Sequence, residues 1–406
     1  MPDGRAHLRR PADEPVPPLS DGRGGAGPLA DQRAHFGIPD EVAYLNCAYM
    51  SPLLAEARKA GEAALERRTR PWTIRAPDFF ADAERLRGLV ARLVAGDPDG
   101  VAIVPSVSYG AAVAARNLPV RRGDRVVVLD EEFPSNVYPW RAAAAEAGAA
   151  LVTVRRPPDG DWTEATLAVL EPGVAVVSAP NCHWTDGGLV DLERVGERAR
   201  EVGAALVVDA TQSLGARPLD VGRVQPDYLL AAAYKWLLGP YGLGFLWAAP
   251  RHREGRPLEE GWIVRAGSED FDRLVDYRDE YQLGARRFDV GERASFSLLP
   301  VAIAALEQIL AWEVERIAAT VAPLTARVER RAAELGLAAL PAARRAAHLV
   351  GVDLPASAPP DLTSRLAARG VHVSVRGRSL RVSPHVYNRP ADVDRLAEAL
   401  AAELAP

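Results

Sequence analysis

The sequence predicts an α/β fold: a mostly parallel seven-stranded sheet between helices, followed by a smaller C-terminal α+β domain. Two patterns lead there. From residue 101 to 248, short and continuously apolar runs alternate with Ala-rich helical stretches. Strands covered on both faces read in this unbroken way. After residue 290 the pattern switches to long helical repeats, a strand pair and a last helix.

The elements follow in order. VAIVP (101–105) runs into SVSYGAAVAARNL, a turn and then a helix. DRVVVLD (124–130) precedes EEFPSNVYPWRAAAAEAG, again loop then helix. ALVTV (150–154) and VAVVSAP (174–180) flank the helical WTEATLAVLE. The amphipathic DLERVGERAREVG leads to ALVVDA (205–210), and YLLAAAYK (228–235) and GLGFLWA (242–248) complete the set. Residues 250–290 are charged and aromatic, with few periodic signals. Residues 300–336 read as one or two long helices, VHVSV and SLRVS as a strand pair within 371–383, and ADVDRLAEALAAELA as the final helix. This divides the chain into a leader (1–30), a segment packing with the small domain (31–60), a large domain (61–290) and a small domain (291–406). The leader, rich in Pro, Gly and Arg, has too little apolar surface to offset the entropy of ordering, so disorder is expected there. It lacks the apolar core of a secretory signal, which leaves the cytoplasm as the default location.

Composition narrows the function classes. A net charge of −5 with interspersed signs points to neither nucleic acid nor an anionic membrane. No apolar run approaches the length of a membrane span. Cys47 and Cys182 are the only cysteines, so neither a disulfide framework nor a metal site is expected.

The cations single out one residue. The chain has two lysines, Lys59 and Lys235, against 47 arginines. Lys235 sits in the apolar, glycine-punctuated AAAYKWLLGPYGLGFLW. Arg would serve there as a charge, but it cannot lose its proton and attack a carbonyl as a primary amine does. Asp209, directly after the strand in ALVVDATQSLGA, either caps the next helix or faces a ligand. Paired with Lys235 at another strand end, it suits a pyridine cofactor. The lysine supplies a Schiff base, and the carboxylate keeps the ring nitrogen protonated. SVSYG (106–110) opens a helix after a strand, where phosphate is held, although a Ser there is also an ordinary cap. Phe133, just past another strand end, is either core or a stacking face for a flat ring.

VVDATQSLGA and AAAYKWLLGPYGLGFLW, preceded by SAPNCHWTDGGLVDL, resemble the class V aminotransferase family of fold type I pyridoxal-phosphate enzymes. That family includes cysteine desulfurases, kynureninases and isopenicillin-N-epimerase-like proteins. The likeness runs from YLNCAYMSPL near residue 44 to LRVSPHVYN near residue 387. It implies the fold type I architecture and pyridoxal 5'-phosphate as cofactor. Lys235 becomes the Schiff-base lysine and the base at the substrate α-carbon, with Asp209 on the pyridinium nitrogen. Gln212 and Asn181 fall near the phenolic oxygen, and Tyr234 meets the phosphate beside Ser106, Val107 and Ser108. Phe133 takes the ring-stacking place, where desulfurases usually carry His. Arg376 matches the position that holds the substrate α-carboxylate, with Arg381 its rival. His183 lies near the cofactor, as a substrate contact or a structural hydrogen-bonder. The resemblance further implies a homodimer whose site is completed by the neighbouring subunit through a loop of F-x-x-G-T type. In RRFDVGERASF, Glu292 stands where that Thr would be, leaving Arg293 or Ser295 to replace its contact.

A persulfide-forming desulfurase needs a cysteine on the loop before the carboxylate-binding Arg, and PASAPPDLTSRLAARGVHVSVRG has none. Transamination, C–S or C–C lyase chemistry and epimerisation of an amino acid remain, with amino-group transfer the generic activity implied by the family. Two other classes are weighed. A non-catalytic pyridoxal-phosphate-binding protein would be expected to have lost some of Lys235, Asp209, Gln212 and the carboxylate-site Arg. GPYGLG (239–244) invites a dinucleotide-binding oxidoreductase, but it leads into a strand rather than a helix.

Overall fold

A computed structural model describes residues 27–404; most of the leader expected over 1–30 lies outside them. The described residues form twelve strands: β1 (Ala43–Tyr44), β2 (Val101–Val104), β3 (Arg125–Leu129), β4 (Ala150–Val154), β5 (Val174–Pro180), β6 (Ala205–Asp209), β7 (Tyr228–Ala232), β8 (Gly244–Ala248), β9 (Val350–Asp353), β10 (Val371–His372), β11 (Ser374–Arg376) and β12 (Ser379–Val382).

Seven of them build one sheet in the order β2-β8-β7-β6-β5-β3-β4, in which β8 alone runs antiparallel to its neighbours. Alternate residues feed two cores. Ile103, Val127, Leu129, Val177, Val208 and Leu229 face one helical layer, while Ala102, Val126, Val128, Val176, Val207 and Leu230 face the other. Apart from the partly exposed edge strand β4, the strands are buried on both faces, which is why they are apolar without interruption. After β3 the chain turns outward to β4, and after β5 it turns the opposite way to β6, so a crevice opens at their carboxyl ends.

The helix Val107–Asn117 begins beside that crevice, capped by Ser106 Oγ accepting from the Tyr109 N–H at 3.2 Å. Gly110 lets it lie close on β7, since a Cβ there would stand 2.7 Å from Leu230 Cδ2.

A third core, around Leu324, Val328, Val350, Val382 and Leu396, supports the small sheet β11-β12-β9. The division expected at 290/291 does not match the cores. Helix Leu298–Trp312 buries Leu299, Ile303, Leu306 and Ile309 in the large core, and the change of allegiance falls inside helix Val314–Glu334, between Ile317 and Leu324. Helical periodicity shows that a face is apolar but not which core receives it. The two helices are separated at Glu313, whose φ of 65° breaks the repeat. The expected C-terminal strand pair gains a third member, β9. From the N-terminal segment, β1 pairs in parallel with β10, Ala43 opposite Val371. The buried Arg33 donates to the carbonyls of Tyr387, Pro39 and Val42 and pairs with Asp392 at 3.3 Å.

Candidate active site

A cavity of about 260 Å³ lies at the carboxyl ends of β2, β3, β5, β6 and β7, and both Lys235 and Asp209 line it. Lys235 is 5% exposed. Burial pushes its ammonium down to about 8, opposed by Asp209 and helped by the positive charges of Arg381 and Arg376. A neutral amine, the nucleophilic form, is therefore accessible near physiological pH. Burial raises the Asp209 carboxyl, against hydrogen bonds from Thr211 and the charge of Lys235; its Oδ1 accepts from the Thr211 N–H at 2.9 Å.

The turn after β6 locks these two groups together. Gly215 has φ +94°, and a Cβ on it would stand 2.5 Å from the Trp236 carbonyl oxygen. Only glycine lets Thr211–Gly215 pass against the backbone beside Lys235. Trp236 Nε1 donates to Gln212 Oε1 at 2.9 Å, and Gln212 Nε2 donates to the Ala48 carbonyl at 3.1 Å. Gln212 lines the cavity with one amide hydrogen to spare.

Ser106, Val107 and Ser108 line the opposite side, where the first-turn N–H groups of helix Val107–Asn117 have no helical partner. Ser106 Oγ and Ser108 Oγ are 2.9 Å apart, and Tyr234, tilted against Tyr241 with ring centres 4.7 Å apart, closes that side. The Phe133 ring centre is 5.1 Å from Lys235 Nζ, placing an aromatic face beside the amine.

Several residues stand elsewhere than expected. His183 is outside the cavity lining: its ring is buried against Trp162 at 4.9 Å, with one nitrogen on Thr185 Oγ1 at 2.8 Å and the other on the Asp130 carbonyl at 3.0 Å. Fully engaged, it serves the scaffold rather than a substrate. Asn181 also misses the cavity, its amide turned toward the Val190 carbonyl at 3.4 Å. Arg293 is buried in an ion pair with Asp289 that also holds Arg87, so it has no free charge for a phosphate. Ser295 Oγ accepts the Leu298 N–H at 3.4 Å, and Glu292 is exposed. Of the two candidate carboxylate holders, Arg381 is the buried one, with Nη1 on the Trp184 carbonyl at 2.9 Å and Nε and Nη2 without partners. Arg376 is half-buried, and its Nη1 reaches the carbonyl of Val375 at 2.8 Å. Neither arginine is among the residues lining the cavity; Arg381, second to Arg376 in the sequence reading, is the one with a buried, unpartnered guanidinium edge.

Two cavity residues escaped notice in the sequence. Glu132 is 7% exposed, with Oε1 accepting from the Phe133 N–H at 2.6 Å and Oε2 unpartnered. Burial, then the charge of Asp209, pushes its carboxyl up to about 8. Its signal in the sequence is weak, because it is the third acid past β3, behind Asp130 and Glu131. Trp184 forms a wall, edge-on to Phe133 at 5.3 Å.

A helix N-terminus with two hydroxyls, a flat aromatic face, a buried carboxyl and a buried amine fit a phosphorylated pyridine aldehyde. Fold and site together define a fold type I pyridoxal-phosphate protein.

The comparisons agree. The family model Aminotransferase class-V matches residues 73–396, and the chain belongs to that family; its cofactor is pyridoxal 5'-phosphate. Among curated relatives, the chain is 30% identical over 223 residues to the uncharacterized aminotransferase YcbU of Bacillus subtilis, covering 54% of this chain and 57% of that protein. It is 30% identical over 285 residues to kynureninase of Deinococcus radiodurans (67% and 66%). It is 25% identical over 360 residues to isopenicillin N epimerase of Amycolatopsis lactamdurans (80% and 84%). Several matches, including YcbU, span about half the relative's length. The apo cysteine desulfurase of Thermococcus onnurineus superposes with a TM-score of 0.77 at 19% identity, covering 93% of this chain and 98% of that one. A cystine C–S lyase, C-DES, with its product cysteine persulfide reaches 0.80 at 20% identity (89% and 97%). These structures establish the fold. Among the described residues, no helix is long and apolar enough to cross a membrane.

Proposed function

We propose that this chain is an enzyme acting at the α-carbon of an amino acid, with amino-group transfer as its reaction. The observation that carries the reading is Lys235, a buried amine held near neutral pH in the same cavity as the Asp209 carboxyl. When bound, pyridoxal phosphate supplies an aldehyde and an electron-withdrawing ring that makes the α-hydrogen of a linked amino acid acidic. Lys235 Nζ would hold the aldehyde until the substrate amine displaces it, and the freed amine would then carry the proton to and from the substrate α-carbon. Asp209 holds a proton at the ring nitrogen. The helix start at Ser106–Ser108, with Tyr234, takes the phosphate, Phe133 takes the ring face, and the free edge of Arg381 takes the substrate carboxylate. Cys47 and Cys182 are both buried, with burial raising each thiol, so neither serves as a mobile sulfur nucleophile.

The reading includes a cytoplasmic homodimer. Tyr49, Met50, Leu53 and Tyr241 are exposed; Ser51, within the first run, donates its N–H to the Tyr234 carbonyl at 2.9 Å. An apolar rim of this kind beside the cavity suits a second copy. Sedimentation at micromolar concentration tests it; a monomer refutes that part.

A second reading, a C–C lyase, is favoured by Phe133 at the stacking place together with the kynureninase likeness. Incubating holoprotein with an amino-acid panel separates the two. A keto acid together with the amine form of the cofactor marks transfer, whereas release of alanine without that form marks C–C cleavage. Borohydride should fix the cofactor on Lys235, and attachment elsewhere in Lys235→Ala would refute the site.

A further inference from the structure

Among the described residues five arginines are buried: Arg33, Arg87, Arg293, Arg345 and Arg381. Four have a carboxylate partner, namely Asp392 for Arg33, Asp289 for both Arg87 and Arg293, and Glu329 for Arg345. Among the described residues Arg381 has none. A charge removed from water without a counter-ion is strongly unfavourable, so its place is built for an anion from outside the chain. Its unpartnered atoms, Nε and Nη2, form one edge of the guanidinium, and that edge matches a single carboxylate with two parallel N–H bonds.

One carboxylate would therefore fill the free edge of Arg381, and a second cation stands beside it. In the β11–β12 hairpin Ser374 lies opposite Arg381 and Arg376 opposite Ser379. Arg376 and Arg381 are diagonal neighbours on one face, within reach for long side chains. The opposite face turns Leu380 into the small core, so both arginines are directed away from it. They converge on the same indole, the Arg376 guanidinium 5.6 Å and that of Arg381 5.9 Å from the Trp184 ring centre, and Trp184 is a cavity wall. Arg376 has no carboxylate partner among the described residues either; its Nη1 reaches the neighbouring Val375 carbonyl. Two like charges on one indole repel unless anions lie between them.

We propose that the substrate is an amino acid bearing a second anionic group, with Arg381 binding the α-carboxylate and Arg376 the distal anion. This rests on the reading of the site as an amino-acid enzyme. Arg376 is thereby the specificity-determining residue, and its stacking on Trp184 pre-orders the guanidinium at the cavity edge.

The test uses holoenzyme and two arms. In the first, calorimetry measures the unreactive acids glutarate and butyrate; glutarate should bind about tenfold tighter or more, the gain from one further charge-assisted pair. Arg376→Gln should remove that preference and Arg376→Lys should restore part of it, while Arg381→Gln weakens both acids. In the second arm, cofactor absorbance follows glutamate against glutamine and aspartate against asparagine. The acidic member should react at lower concentration, and Arg376→Gln should bring each ratio near one. Equal binding of glutarate and butyrate, or equal losses for acidic and neutral amino acids in Arg376→Gln, overturns the distal anion site. Preferred glutarate binding with no reaction of any amino acid supports the anion site and overturns the enzyme reading instead.

Discussion

Replacing Lys235 by Met in the cofactor-free protein should stabilise it, by an amount that depends on pH. The lysine is buried in the cavity, and folding lowers its ammonium from 10.5 to about 8. A change of that size corresponds to about 3 kcal/mol. Between those two values the unfolded chain keeps the proton that the folded chain has released. The unfolded state thus binds more protons, and wild-type stability rises with pH across that window. Met fills similar space with no proton to bind, so Lys235→Met should exceed wild type by about 3 kcal/mol at pH 7 and by only about 1 kcal/mol at pH 9.5. Urea unfolding of both cofactor-free proteins at the two pH values measures the difference. A gain of equal size at both, or a loss at pH 7, would refute a lysine held below its ordinary pKa by burial. The destabilising amine is the nucleophile, and binding the aldehyde relieves its charge.

Three further outcomes follow from the geometry. Asp209→Ala should retain cofactor yet slow α-hydrogen exchange by roughly a hundredfold or more, read by deuterium uptake into the substrate; an unchanged rate would remove Asp209 from the ring nitrogen. Asp289→Ala leaves the buried Arg293 without a carboxylate and Arg87 with Glu84 alone, and should cost about 3–5 kcal/mol, seen as a large fall in Tm, whereas a change within a degree would show the cluster to be dispensable. Gly215→Ala meets the Trp236 carbonyl from a left-handed backbone; about 1–3 kcal/mol of strain, with weaker cofactor retention on dialysis, is expected.

The sequence by itself determined the elements whose causes are local. Unbroken apolar runs marked the strands of the large sheet because, the edge strand β4 aside, both of its faces are covered. Lys235 and Asp209 stood out because their residue types are chemically irreplaceable at strand ends, and their motifs carried the family. Tertiary structure decided whatever depends on partners distant along the chain. Residue type does not distinguish Arg293 from Arg381; Asp289 lies beside the first, and among the described residues no carboxylate lies beside the second. The sequence leaves His183 open between a substrate contact and a structural hydrogen-bonder, and Trp162, Thr185 and the Asp130 carbonyl enclose it. Glu132 passed for an ordinary loop acid because its burial beside Asp209 is contributed by other strands. The register of β11 and β12 turned two arginines in an Arg-rich chain into neighbours on one indole. Burial and pairing are properties of the assembled fold, and they separate a working charge from a surface one.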